Sequence, residues 1–273
     1  MKKKLTLLYF ILAVVLVSCS SFESLQKGNL NKVKETGLEL KDALPSSFFP
    51  KDLHIVAAGD SLTQGVGDST NSGGYIPYLA QQLEQDKTIR NANFENFGVK
   101  GNRADQLLKR LESKEIQSSI EDADLIILTI GGNDLMKVVK ENFSSLKLNH
   151  FKAEQKIFKE RLQSIFSLIR KQNQGAPIVL IGLYNPFYNW FADVKEMNQI
   201  VDEWNGQSQS LVEQDGNAYF VDIHDIFLNN EENLLYTDYF HPNDRGYQLI
   251  ADRVYGILSQ EVVVFHEKLT TNR

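Results

Sequence analysis

The chain has 273 residues, of which 42% are hydrophobic, and this size and composition suit one large α/β domain better than two small ones. Its 29 basic and 35 acidic residues give a formal net charge of −6, so we predict no nucleic-acid partner. The single cysteine excludes a framework of disulfides within the chain.

Residues 1–18 have the pattern of a bacterial signal peptide. Lys2–Lys4 form a positive start, and Leu5–Val17 form an apolar stretch that is shorter than the roughly 20 residues of a transmembrane helix. Leu16–Cys19 resembles a lipobox, in which the cysteine is diacylated and becomes the mature N-terminus. We therefore expect a lipoprotein anchored through Cys19 on the extracytoplasmic face of the cell membrane. A short uncleaved anchor with an incidental cysteine is the alternative.

Two further regions follow the leader. Residues 19–50 are rich in Ser, Lys, Glu and Asn, a composition typical of a tether and entry segment. Residues 51–273 are expected to form the folded domain, because apolar segments of strand and helix length begin there.

Strand-like and helix-like segments alternate through this domain. The predicted strands are Leu53–Ala58, Ala92–Phe97, Leu125–Ile130, Pro177–Leu183 and Ala218–Val221. The predicted helices are Tyr75–Gln85, Arg103–Leu111, Phe151–Lys171, Val194–Glu213 and Asp244–Leu258. This alternation predicts an α/β fold with a parallel sheet between two layers of helices, and such folds place their active sites at the carboxyl ends of the strands.

A serine follows the first predicted strand directly, in the sequence Gly59-Asp60-Ser61-Leu62. Gly59 allows a tight turn that would present Ser61 at the carboxyl end of the strand. Taken alone, this tetrapeptide is weak evidence for a catalytic serine, because a serine in this place often caps the next helix.

Three further segments carry polar groups beside predicted strands or near the C-terminus. Gly98 lies in Asn96–Gly101 after the second strand, and Asn133 lies in Gly131–Asp134 after the third. Near the C-terminus, Asp238 precedes His241 by three residues, so one turn could hold the carboxylate on the imidazole.

Together these groups match the needs of acyl transfer. A serine hydroxyl becomes a good nucleophile when a base accepts its proton, and a carboxylate orients that base. The tetrahedral oxyanion needs hydrogen-bond donors, which the N–H groups of Ser61 and Gly98 and the side chain of Asn133 could provide.

These four blocks, in this order, resemble the SGNH/GDSL hydrolase family. The resemblance implies a three-layer α/β/α sandwich of the flavodoxin-like type with five parallel strands, and ester hydrolysis without a metal or another cofactor. It implies that Ser61 is the nucleophile, that His241 is the base with Asp238 as its partner, and that Gly98 and Asn133 are oxyanion donors. The segments Leu62–Asp68 and Leu183–Phe187 are similar to those of lipoproteins from Gram-positive bacteria.

His224 is the alternative base, since it follows the last predicted strand and has acidic neighbours. His241 is favoured because its carboxylate lies at a one-turn spacing. Asp222, His224 and Asp225 could also bind a metal, although no further cluster with ligand spacing accompanies them. Asp60 and Asp134 are expected to brace their turns by hydrogen bonds.

Substrate preference is less constrained by the sequence. An aromatic cluster after the fourth strand is either a wall for an acyl chain or ordinary packing: Tyr184, Phe187, Tyr188, Trp190 and Phe191. The segment Leu135–His150 is interpreted as an excursion over the site. A lipid or lysophospholipid acyl ester is the favoured substrate. The alternatives are an O-acetyl group on cell-wall carbohydrate, or a non-catalytic surface lipoprotein that binds its ligand on the same fold.

Overall fold

The computed structural model describes residues 49–186, 195–228 and 232–271. The predicted signal peptide, Cys19 and nearly all of the predicted tether lie outside these residues. The described residues fall within one compact unit, residues 46–273. Of the helices described, none is both long enough and apolar enough to cross a membrane.

A central sheet of five parallel strands confirms the predicted α/β architecture. The strands are β1 (Lys51–Gly59), β2 (Ile89–Gly98), β3 (Leu125–Thr129), β4 (Ile178–Ile181) and β5 (Ala218–Val221), and their order across the sheet is β2-β1-β3-β4-β5. Each strand coincides with a predicted one, with ends that differ by a few residues.

Helices connect the strands and cover the sheet. The described helices are α1 (Ser61–Gln64), α2 (Ile76–Leu83), α3 (Ala104–Arg110), α4 (Lys114–Asp122), α5 (Gly132–Glu141), α6 (Leu148–Gln172), α7 (Lys195–Asp215), α8 (His224–Leu228) and α9 (Asp244–Thr271), with a 3₁₀ turn at Phe143–Ser145. All five predicted helices are present. The segment interpreted as an excursion is α5, the 3₁₀ turn and the start of α6.

The sheet separates two hydrophobic cores because alternate side chains of a strand point to opposite faces. In β3, Ile126 and Leu128 pack in the core beneath α6, together with Leu162. Leu125 and Ile127 pack in the other core, which includes Val254 of α9. Both faces of β3 are buried, which explains why its sequence lacks polar residues at alternate positions.

The strand order also fixes the place of the site. The chain leaves β1 toward β2 on one side of it and later returns to β3 on the other side. In open α/β sheets, ligands bind at the carboxyl ends of the strands where the order reverses in this way. The segments that carry Ser61 and Asn133 follow β1 and β3, so they start at this crevice.

Candidate active site

Ser61 lies on a tight turn between β1 and α1. Gly59 has φ +153°, and a Cβ there would lie 2.1 Å from the carbonyl oxygen of Thr129, so only glycine fits. The side chain of Asp60 caps α1 by accepting a hydrogen bond from the Leu62 N–H at 3.0 Å. The Ser61 residue is only 2% exposed, and its hydroxyl forms no hydrogen bond with the described residues.

Asp238 and His241 form a closely coupled pair. The Nδ1 of His241 lies 2.6 Å from the Oδ2 of Asp238, and the other carboxylate oxygen accepts hydrogen bonds from the N–H groups of Phe240 and His241, each at 3.0 Å. Burial raises the pKa of Asp238, but these hydrogen bonds outweigh burial and hold it below its usual range. Because Nδ1 is occupied, Nε2 is the ring nitrogen that remains for proton transfer.

The histidine turn packs against the loop that follows Ser61. The N–H of Val66 donates to the Ser61 carbonyl at 3.0 Å, and the carbonyl of Val66 accepts from the Tyr247 hydroxyl at 2.7 Å. A Cβ on the next residue, Gly67, would lie 3.3 Å from the Cβ of His241. The structure shows no direct hydrogen bond between Ser61 and His241. Such bonds are often long in enzymes without substrate and shorten when substrate binds.

Two of the three predicted oxyanion donors are available. Ser61 begins α1, and its N–H donates to no acceptor among the described residues. Asn133 is the second residue of α5 and lines the same cleft as Ser61. One N–H of its amide donates to the carbonyl of Asn102 at 3.0 Å, which orients the side chain and leaves the second N–H free to donate.

The third donor, Gly98, is already engaged in the structure. Its N–H donates to the Oδ1 of Asn96 at 2.8 Å, and a Cβ on Gly98 would lie 2.1 Å from the backbone nitrogen of Gln64. Its lack of a side chain therefore serves packing against α1. Gly101 is different, because it has φ +80° and its N–H donates to none of the described residues. A second glycine, three positions further in the same loop, was the sequence signal for this alternative.

A buried hydrogen-bond network supports the serine turn from below. The Oδ1 of Asp60 accepts a hydrogen bond from the hydroxyl of Thr129 at 2.9 Å. The Thr129 hydroxyl also lies 2.8 Å from the hydroxyl of Thr63, which in turn lies 3.2 Å from the hydroxyl of Tyr75. Burial raises the pKa of Asp60 to about 6, despite the hydrogen bonds that it accepts. Through these hydrogen bonds Asp60 holds the turn that carries Ser61, in agreement with the prediction from the sequence.

Asp134 holds the loop on the other side of the site. Its carboxylate is fully buried and accepts from the N–H of Ala104 at 2.9 Å and from Arg161 at 3.4 Å. Burial raises the pKa of Asp134 to about 6. Since Ala104 begins α3 just after Asn102, this contact fixes the loop on which the Asn133 amide rests.

We expect the substitution Asp60→Asn to change how stability depends on pH. The folded-state pKa of about 6 lies above the unfolded value of about 3.9, so the folded state holds the proton more tightly and the stability from this group is lost as pH rises through 6. Both hydrogen bonds use Oδ1, which asparagine retains. Between pH 4 and pH 7, urea unfolding should show the wild type losing about 2 kcal/mol more than the variant. Parallel pH profiles for the two proteins would contradict a raised pKa at Asp60.

An apolar cleft opens beside Ser61. Most of the side chains that line it are apolar: Leu62, Ile130, Leu135, Met136, Ile181, Leu183, Pro186 and Phe240, with Gly132 and Gly182 between them. The cleft therefore suits the apolar part of a substrate.

Tyr184 connects the cleft to the histidine turn. Its hydroxyl donates to the carbonyl of Phe240 at 2.5 Å, and its ring stacks on Phe227 with the centroids 4.1 Å apart. Burial raises the pKa of Tyr184 well above its usual range, so the hydroxyl keeps the proton that it donates. The other members of the predicted aromatic cluster lie outside the described residues: Phe187, Tyr188, Trp190 and Phe191.

His224, the alternative base, lies in a different place. Its Nδ1 is 2.8 Å from the Oδ1 of Asp202 on α7, and it does not line the Ser61 cleft. Asp225 forms two hydrogen bonds with Arg253, at 2.9 and 2.8 Å. His224 is buried at the start of α8, and the structure brings His241 rather than His224 to the serine loop.

Known proteins resemble this chain in sequence and in fold. The model of the GDSL-like lipase/acylhydrolase family matches residues 57–249, which include Ser61, Asn133 and the Asp238–His241 pair. The uncharacterized protein YpmR of Bacillus subtilis (strain 168) is 35% identical over 263 residues, which cover 96% of this chain and 98% of that protein.

Two solved structures share the fold. The lipase Lip_vut3 from a goat rumen metagenome has a TM-score of 0.68 at 22% identity, covering 75% of this chain and 96% of its own. Axe2, an acetylxylan esterase from Geobacillus stearothermophilus, has a TM-score of 0.57 at 18% identity, covering 76% of this chain and 94% of its own. Taken with the site geometry and the family match, these likenesses lead to one conclusion: the chain belongs to the GDSL-like lipase/acylhydrolase family and is a carboxylic ester hydrolase.

Proposed function

We propose that this hydrolase cleaves its ester through a covalent acyl intermediate on Ser61. The observation that carries the proposal is the 2.6 Å pair of Asp238 and His241, packed against the loop that follows the serine. As the Ser61 oxygen attacks the ester carbonyl, Nε2 of His241 takes the hydroxyl proton. The proton then passes to the leaving alcohol when the tetrahedral intermediate collapses to the acyl-enzyme. In the second half, His241 takes a proton from water, the hydroxide formed attacks the acyl carbon, and Ser61 recovers its proton as the acid leaves.

Three donors stabilise the oxyanion in this proposal. The Ser61 N–H and the free N–H of the Asn133 amide supply two of them. The third comes from the loop after β2. Gly98 can fill this role if its N–H leaves Asn96, but Gly101 is favoured because its N–H is unpaired among the described residues.

A fluorophosphonate tests the covalent mechanism in the full chain. This reagent phosphonylates an activated serine and does not react with an ordinary one, so we expect the label on the peptide that contains Ser61. A folded enzyme that hydrolyses esters but takes no label at Ser61 would contradict the acyl-enzyme.

The favoured substrate is a lipid or lysophospholipid acyl ester. The support is the cleft beside Ser61, whose lining is mainly apolar and suits an acyl chain better than a carbohydrate. A series of p-nitrophenyl esters from acetyl to long-chain acyl tests this choice. Turnover that rises with chain length supports the lipid ester, whereas turnover confined to acetate would favour the O-acetyl group of cell-wall carbohydrate.

We further propose that Cys19 is lipidated and holds the enzyme on the extracytoplasmic face of the membrane. The support is the sequence alone, namely the basic start, the short apolar stretch and the lipobox-like Leu16–Cys19. In cells grown with labelled palmitate, we expect the wild-type chain to carry the label in the membrane fraction. The substitution Cys19→Ala should abolish the label, and a labelled variant would disprove Cys19 as the acceptor.

A further inference from the structure

Helices α5 and α6 form a hairpin that projects beyond the sheet on the side of the cleft. At the far end of α6, Asn173 donates to the carbonyl of Ala123, which lies just before β3. Further back along the helix, Phe158 lies against Gly131, just after the end of β3, since a Cβ on Gly131 would be 2.8 Å from its ring. Leu148 begins α6 ten residues before Phe158, so the hairpin tip lies about 15 Å beyond the carboxyl ends of the strands.

The tip of this hairpin exposes apolar side chains. Phe143 is 81% exposed, and Leu146 and Leu148 are 43% and 44% exposed. All residues from 143 to 149 are exposed. Single exposed hydrophobic residues are common on protein surfaces and need no explanation. Here three large ones are exposed within six positions, so they form an apolar patch.

Lysines surround the apolar tip. Residues 135–152 contain four lysines and one acid, Glu141, although the whole chain carries a formal charge of −6. Lys137 pairs with Glu154 at 3.1 Å. Lys140, Lys147 and Lys152 are exposed, and none of them pairs with an acid among the described residues. Glu203 of α7 lines the same small pocket as Leu148 and Lys152, so the positive charge of the tip is concentrated at Lys140 and Lys147.

We propose that this tip, made of Phe143, Leu146 and Leu148 with Lys140, Lys147 and Lys152, docks on an anionic lipid membrane. Apolar side chains that enter the interface, together with lysines that meet acidic headgroups, are what such binding requires. The apolar side chains of the tip protrude from the surface, so they can enter a lipid interface. A groove, which is what would bind an acidic peptide, is not the shape of this tip.

Docking at the tip brings the cleft to the membrane, because Leu135 and Met136 of the same helix α5 line the cleft. An acyl ester could then pass from the lipid surface to Ser61 along an apolar path. This consequence rests on the proposed function, but the docking itself does not.

Fluorescence quenching in the full chain tests the docking. The variant Phe143→Trp is reconstituted in vesicles whose lipids carry brominated acyl chains, composed of phosphatidylcholine with or without phosphatidylglycerol. The matched control is Ile157→Trp, on α6 near the level of Phe158 and away from the tip, where the native side chain is 40% exposed. We expect the emission added by Phe143→Trp to be lost in anionic vesicles, to return at high salt, and to persist in the control.

Each result decides the proposal. Equal quenching of the two variants, or no quenching of Phe143→Trp, would overturn the docking. Quenching that is the same without phosphatidylglycerol would overturn the anionic requirement. Hydrolysis of p-nitrophenyl esters from acetyl to long-chain acyl, measured without vesicles on the same proteins and on Ser61→Ala, keeps the two proposals apart. Turnover without quenching refutes docking alone, and quenching without serine-dependent turnover refutes the proposed mechanism alone.

Discussion

The substitution Ser61→Ala is expected to lower kcat for every ester by at least about a thousandfold. The alanine variant has no oxygen to attack the carbonyl, and the Asp238–His241 pair is left without a nucleophile. The fold should remain, because the Ser61 hydroxyl makes no hydrogen bond with the described residues, so we expect the melting temperature to change by no more than about 2 °C. Hydrolysis of p-nitrophenyl esters and a thermal melt of the same samples measure both effects.

A matched serine serves as the control for this prediction. Ser164 lies exposed on α6, and its hydroxyl donates only to the carbonyl of Glu160 within the same helix. The variant Ser164→Ala should keep wild-type turnover. If Ser61→Ala retained activity while folded, or if both variants lost it equally, Ser61 would not be the nucleophile.

The second prediction concerns the room for the acyl chain. Gly132 lines the cleft, and a Cβ placed on it would meet no atom within 4 Å. Gly132 is also the first residue of α5 and its φ is not positive, so a leucine fits the backbone there. In Gly132→Leu the new side chain would displace about three methylene groups of a long acyl chain, each worth about 0.8 kcal/mol. The ratio of kcat/KM for decanoate to that for acetate should therefore fall by roughly 50-fold.

The use of a ratio removes effects that all esters share, such as a small shift of the neighbouring Asn133. Gly206 provides the matched control, because it lies on α7, does not line the cleft, and would also place a Cβ in open space. Gly206→Leu should leave the ratio unchanged. An unchanged ratio in Gly132→Leu would show that the acyl chain binds elsewhere.

The central sheet was predictable because its strands are short, apolar and separated by periodic helices. β3 is the clearest case, since burial on both faces requires an uninterrupted apolar sequence. α5 was not predicted as a helix. It begins at the second of two consecutive glycines, Gly131 and Gly132, which are poor helix formers, and its stability comes from the burial of Leu135 and Val138 against the rest of the domain.

The residues of the candidate site could be proposed from their positions after strands and from the three-residue spacing of Asp238 and His241. Contacts between distant residues were not. The bond between Asp60 and Thr129 joins positions 69 apart, and no local pattern reveals it. The pairing of the Gly98 N–H with the Asn96 side chain spans only two residues at the end of β2, but it depends on the side-chain rotamer of Asn96, which the sequence does not specify.

The proposed nucleophile and its proposed base come from opposite ends of the domain sequence. Ser61 follows the first strand, whereas Asp238 and His241 come after the last strand and reach the site when their turn packs on the loop at Gly67. A chain emerges from the ribosome with its N-terminal part first. On the proposed mechanism, the nascent enzyme therefore carries its serine and its oxyanion donors long before it has a base. Ester hydrolysis by this mechanism begins only after the turn of Asp238 and His241 has been made and packed on the serine loop, so a chain that ends before this turn is inactive.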